Sequence, residues 1–169
     1  MYEFRFRYRF ESAHRFTAEC ETQCSTPHGH TWYATLHLRS LDDRLNAAGM
    51  IEDFARLKAP WKTFITEVVD HSFLHHAQDP ILASLRDRIR TFRGLPFPGD
   101  PTTERIARLF YEKACAMYAE LLAQKKVQID AVTIEETQTN HATYRPSAHD
   151  PLPKQGWWNH PDPMDRRLE

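Results

Sequence analysis

The chain reads as an α+β domain in which helices pack on one face of a four-stranded antiparallel sheet, with the element order ββααββ. Three observations predict this. Residues 2–11 and 30–39 alternate with period two, as half-buried strands do. Apolar side chains then recur at helical spacing through the middle of the chain. Residues 127–137 and 142–145 return to strand-like sequence.

In the first strand Phe4, Phe6, Tyr8 and Phe10 take one face, and Glu3, Arg5, Arg7, Arg9 and Glu11 the other. Residues 16–27 form a polar loop with Cys20 and Cys24. In the second strand His30, Trp32, Ala34, Leu36 and Leu38 share one side. After a connector from Leu41 to Gly49, the positions Phe54, Leu57, Trp61, Phe64, Ile65 and Val68 predict a helix. Pro60 interrupts it, so the expectation is a short turn followed by a helix beginning near Pro60. Ile81, Leu82, Leu85, Ile89 and Phe92 predict a short helix opened by Pro80, and Gly94 to Pro101 a loop. Thr102-Thr103-Glu104 opens a long helix with a threonine cap; its core face carries Ile106, Leu109, Phe110, Met117, Tyr118, Leu121 and Leu122. Cys115 lies in this apolar pattern and reads as core. Residues 1–146 form the domain, and 147–169 a Pro-rich tail in which Trp157-Trp158 is expected to dock on the domain or on a neighbouring subunit. Four strands leave two open edges, and edge pairing between subunits would close them.

The composition narrows the function. At 169 residues the chain buries a real core, and a net charge of −1 without a basic stripe gives no reason to propose a nucleic-acid partner. No apolar run approaches a membrane span, and Met1 to Arg5 lacks the apolar core of a signal peptide. Three cysteines without a disulfide framework fit a reducing compartment, so a cytoplasmic location is expected.

The chemistry gathers at Cys24-Ser25-Thr26-Pro27-His28-Gly29-His30. Two histidines one residue apart on an extended segment point the same way. Pairing of the first two strands brings His14 to the same end of the sheet and drops Cys24 over the cluster. Three imidazoles with a vacant fourth position form the layout of a catalytic zinc site. A lone His-x-His is more often a pair of solvated loop residues; the third histidine and the thiol favour the metal. If Cys24 were itself a fourth ligand, the site would be closed and structural.

Six stretches together resemble the 6-pyruvoyl-tetrahydropterin synthase / 6-carboxytetrahydropterin synthase family. They are Phe10-Glu11-Ser12-Ala13-His14-Arg15, Cys24-x-x-x-His28-Gly29-His30, Gly49-Met50-Ile51-Glu52-Asp53-Phe54-x-x-Leu57-Lys58, Asp70-His71-x-x-Leu74, Pro101-Thr102-Thr103-Glu104, and Glu136-Thr137 followed by Tyr144. The resemblance implies the tunnelling fold, a barrel-forming trimer stacked as a hexamer, and active sites between subunits. It implies His14, His28 and His30 as Zn2+ ligands, Cys24 as the catalytic thiol, Asp70 and His71 as its proton relay, and Glu136 as the pterin anchor. Thr103 and Glu104 would support the ring. The implied substrate is a pterin triphosphate, 7,8-dihydroneopterin triphosphate. The Cys-x-x-x-His-Gly-His spacing resembles the carboxy branch, which serves queuosine and related deazapurine synthesis; the pyruvoyl branch and a non-catalytic zinc or pterin module are the alternatives. Two departures are His75 where the family often has Asn, and a longer segment at 78–99, read as a helical insertion. His75 and His76 read as solvated, Glu135 as solvated or paired, and Arg15 and Lys58 as candidates for the triphosphate.

Overall fold

The structure is a computed structural model that describes residues 1–17, 23–146 and 155–167. The first two strands form as the alternation requires. β1 (Glu3–His14) and β2 (His28–Ser40) pair antiparallel from Glu3↔Arg39 to His14↔His28. Their common inner face carries Phe6, Phe10, Trp32, Ala34, Leu36 and Leu38, all buried. Phe10 and Trp32 stack with ring centroids 5.9 Å apart.

The sheet has six strands in the order β4-β3-β1-β2-β5-β6, where the sequence predicts four. The additional pair is β3 (Phe73–His76), parallel to β1, and β4 (Gly94–Phe97), parallel to β3. The expected loop after Gly94 is therefore a strand, and the sheet is mixed. β5 (Val127–Glu135) pairs with β2, and β6 (His141–Tyr144) closes that end. A bulge opposite His37 and Leu38 shifts the register of β5, so both Ile129 and Val132 face inward although they are three positions apart. β5 ends at Glu135, two residues short of the expected Thr137.

The helices at Phe54–Thr63 and Thr103–Met117, which build the core, lie on the inner face. α1 (Phe54–Thr63) is capped by Asp53, whose side chain accepts from the Ala55 amide. It begins six residues before Pro60 and runs through it, against the expectation of a start near Pro60. The reason is Tyr118. Its hydroxyl accepts from the Trp61 amide and donates to the Leu57 carbonyl, so it bridges the ladder where the proline strains it. A π-turn (Phe64–Val69) follows and ends with the Asp70 amide donating to the Ile65 carbonyl. α2 (Ile81–Arg88) is the short helix after Pro80. α3 (Thr103–Met117) is capped by Thr102, and α4 (Ala119–Ala123) is a single extra turn.

The C-terminal segment docks on the same chain. Trp157 and Trp158 are fully buried; Trp157 packs against Phe64, Phe97 and Phe110 and donates its Nε1 hydrogen to the Pro96 carbonyl at 2.7 Å. Lys113, also fully buried, donates to the carbonyls of Trp157, His160 and Asp162 at 2.8, 2.9 and 2.7 Å. Cys20 and residues 147–154 lie outside the described residues.

Candidate metal centre and adjoining cleft

The β1–β2 register builds the site directly. His14 stands opposite His28, and Ser12 opposite His30, so the three imidazoles share the inner face at the end of the pair. One ring nitrogen from each lies within 4.8 Å of the other two. His14 is wholly buried, and Trp32 packs edge-on against both His14 and His30.

The hydrogen bonds assign the nitrogens. His14 Nδ1 donates to the Pro101 carbonyl at 3.0 Å, and His28 Nδ1 donates to the Thr26 carbonyl at 2.8 Å. With each hydrogen on Nδ1, both Nε2 atoms carry lone pairs, yet they lie 3.0 Å apart. The contact sets two acceptors face to face, which a shared cation resolves. His30 Nε2 is buried with no hydrogen-bond partner. The Glu136 carboxylate adds another acceptor, 3.6 Å from His14 Nε2 and 3.9 Å from His30 Nε2. Burial pushes His14 down to about 4, with His28 and His30 adding to the fall and the Pro101 carbonyl opposing it. Burial also lowers His30. His14 and His30 are therefore held toward the neutral form, and the three-imidazole cluster fits a divalent metal ion. A carbonyl behind the ring, as at His14 and His28, is the usual way a metal-binding imidazole is oriented.

Glu136 reaches this site by alternation. Ile134 faces the core, so Glu136 faces the same way, while Glu135 turns outward to a two-pronged pair with Arg7 at 2.8 and 2.9 Å. Glu136 stands just beyond the end of β5, where its amide donates to the Asn140 carbonyl. Cys24 sits in a short 3-10 turn (Gln23–Ser25), half-buried. Its carbonyl accepts from the Phe16 amide at 2.9 Å, which ties the turn back to the end of β1.

Asp70 and His71 follow the π-turn. Asp70 Oδ2 lies 2.8 Å from His71 Nδ1, and Asp70 Oδ1 accepts from the Glu11 amide at 2.7 Å. Adjacent residues can meet here because His71 takes φ of +56°, a left-handed conformation rare for a residue with a side chain. The His71 amide donates to the Glu11 carbonyl, which holds the turn against β1. A cleft of about 620 Å3 lies beside His71, Phe92 and Arg93, against the outward-facing residues Glu11, Ala13, Gly29 and Thr31 of β1 and β2; of the imidazole cluster only His30 is among its lining residues.

Other expectations move. Thr103 and Glu104 stand at the start of α3, half-buried and exposed, and neither lines the cleft. Arg15 is committed to the buried Asp79 at 3.2 Å, and Lys58 lies exposed on α1 away from the cleft lining. His75 is fully buried and therefore not a solvated position, whereas His76 is half-buried; both lie on β3. The residues that sequence reasoning missed are Pro101 and Thr26, whose carbonyls accept from His14 and His28, and Phe92 and Arg93 on the cleft wall. Pro101 lies within a recognised stretch, but only its capping neighbours drew attention. No local pattern marks the wall.

An α+β fold with an imidazole cluster and a carboxylate at one sheet end defines a class of metal-site proteins. A family model described as 6-pyruvoyl tetrahydropterin synthase matches residues 3–147. A 6-carboxy-5,6,7,8-tetrahydropterin synthase of Aquifex aeolicus is 30% identical over 155 residues, covering 82% of this chain and 94% of the relative. Its counterpart in Bacillus subtilis is 30% identical over 135 residues, covering 80% and 79%. In solved structures, 6-pyruvoyltetrahydropterin synthase of Plasmodium vivax aligns with a TM-score of 0.63 at 19% identity, covering 85% of this chain and 96% of that one. The Caenorhabditis elegans 6-pyruvoyl tetrahydropterin synthase aligns at 0.59 and 23%, covering 86% and 96%. The chain belongs to the 6-pyruvoyl tetrahydropterin synthase family. No helix among the described residues is long and apolar enough to cross a membrane.

Proposed function

We propose that this protein is a cytoplasmic, zinc-dependent lyase that converts 7,8-dihydroneopterin triphosphate to 6-carboxy-5,6,7,8-tetrahydropterin, releasing triphosphate and acetaldehyde, in queuosine or related deazapurine synthesis. The observation that carries it is the cluster of three imidazoles with Glu136 beside it, in a chain that also holds an Asp70–His71 pair. The names of the curated relatives support the carboxy product, and the family description keeps the pyruvoyl product as the alternative.

His14, His28 and His30 hold the metal through their unprotonated ring nitrogens. The bound ion supplies Lewis acidity to the oxygens of the substrate side chain. The chain's own groups do the rest. Cys24 acts as the base that takes up the proton. Asp70 orients His71 and stabilises its charged form, as a carboxylate does behind a catalytic imidazole. Glu136 accepts two hydrogen bonds from the edge of the pterin ring, a charge-assisted and directional contact. The His71 side chain is 74% exposed in the single chain, which leaves room for a neighbouring subunit in a homo-oligomer.

The test is Cys24→Ala in the zinc-loaded protein, followed by triphosphate release and metal content. The variant is expected to keep its zinc and lose turnover. Turnover at the wild-type rate removes Cys24 from the mechanism.

A further inference from the structure

The chain is nearly neutral, but one corner concentrates positive charge. Arg93 and Arg166 both donate Nη2 to the Glu67 carbonyl, at 2.7 and 2.6 Å. Burial and the neighbouring Arg93 both lower the pKa of Arg166, so the two guanidiniums repel. Among the described residues no carboxylate lies within 4.0 Å of either. Arg93 Nη2 also donates to the Asp70 carbonyl at 3.3 Å, so backbone carbonyls engage one nitrogen of each fork.

Arg166 lines a cavity of about 380 Å3 together with His75, Arg86, Phe92, Gly94 and Pro96. Arg86 lies on the exposed face of α2, and Arg88 and Arg90 extend the positive segment beyond it. His75 forms the floor. Its Nδ1 lies 2.9 Å from the His76 carbonyl, so the neutral ring holds its hydrogen there and Nε2 is an acceptor. That Nε2 is buried and has no partner. It faces Gly94, where a Cβ would come within 2.7 Å of it. The acid nearest to His75 in effect, Asp79, is already engaged by Arg15 and by the Ile81 amide. Phe92 lines both this cavity and the cleft beside His30 and His71, so one ring separates them.

We propose that this cavity between α2, the edge strand β4 and the C-terminal segment is a phosphoryl-anion site, with Arg86 and Arg166 as its donors and His75 as its floor. Guanidinium forks match phosphoryl oxygens in geometry, and an anion between like charges removes their repulsion. A hydrogen on a phosphate oxygen would be donated toward the His75 side, where an acceptor stands unused. The anion is either a free polyphosphate or the phosphate tail of a molecule whose head lies in the cleft. Only the second source rests on the function proposed above.

The experiment is calorimetric titration of the full chain with tripolyphosphate at fixed ionic strength. One saturable site per chain is expected, weakened about tenfold by Arg86→Ala and by Arg166→Ala. Arg86 stands on an exposed helix face, so its variant keeps the fold even if Arg166→Ala loosens the C-terminal segment. Arg44→Ala, on the connector after β2, is the control and is expected to leave binding unchanged. Absence of saturation, wild-type affinity in Arg86→Ala, or an equal loss in Arg44→Ala overturns the proposal. Titration with 7,8-dihydroneopterin triphosphate separates the sources. Displacement of tripolyphosphate, with the same loss in Arg86→Ala, assigns the site to the substrate tail. Simultaneous binding assigns it to a free anion.

Discussion

Replacing Lys113 with methionine should release the C-terminal segment from the domain. The ammonium is fully buried and is the common donor to three carbonyls of residues 157, 160 and 162. Each such charge-assisted bond contributes about 1.5–3 kcal/mol. Burial, opposed by Asp165 and Asp162, pulls Lys113 from 10.5 to about 8, and that desolvation offsets about 3 kcal/mol of the gain. The net loss in Lys113→Met is therefore about 3 kcal/mol, which lowers Tm by about 6–12 °C for a chain of this size. Methionine fills much the same volume, so the loss reports the polar contacts and not a cavity. Thermal unfolding measures the shift, and limited proteolysis measures exposure of residues 155–167. The pH dependence has a definite sign. The penalty on the charged form is complete below about pH 8 and is relieved as pH rises from about 8 to 10.5, because the unfolded chain still holds the proton that the folded one has released. Wild type should gain on the variant across that window. A variant with wild-type Tm and a protected C-terminal segment would refute the reasoning.

Other outcomes follow from single residues. Asp165 is held down to about 2, first by the hydrogen bond from Arg167, so its contribution of about 1–2 kcal/mol is present above pH 3.8 and lost as pH falls through about 2. Asp165→Asn should flatten the acid limb of the stability curve over that range. His28→Ala should reduce bound metal to a small fraction of wild type, measured by elemental analysis; wild-type metal content would show that the cluster needs no third imidazole. Glu136→Gln should weaken pterin binding about tenfold or more, measured by fluorescence titration, without loss of metal. An equal loss of metal would instead make the carboxylate a ligand.

How much of this was legible depends on whether the information was local. The alternation of residues 2–11 and 30–39 is local, and it forces the pairing that sets His14 beside His28 and Ser12 beside His30. The metal cluster follows from register alone. β3 and β4 are not local. Phe73–His76 and Gly94–Phe97 have four residues each, too few for a period, and they become strands only through parallel pairing with one another and with β1. Pro60 reads as a break because its missing hydrogen is local, whereas the Tyr118 hydroxyl that repairs the ladder comes from another helix. His75 reads as solvated; its burial is decided by the later segment that brings Phe92 and Gly94 against it. The π-turn and the left-handed His71 likewise depend on Glu11, which clamps the turn through two backbone contacts.

The central claim is that the imidazole cluster, the thiol turn and the Asp70–His71 pair act on a pterin triphosphate. The direct measurement is incubation of the zinc-loaded protein with 7,8-dihydroneopterin triphosphate, followed by product mass and acetaldehyde. The account predicts 6-carboxy-5,6,7,8-tetrahydropterin with acetaldehyde in equal amount. A pyruvoyl product without acetaldehyde would assign the other branch, and an unchanged substrate in the presence of bound zinc would contradict the catalytic reading.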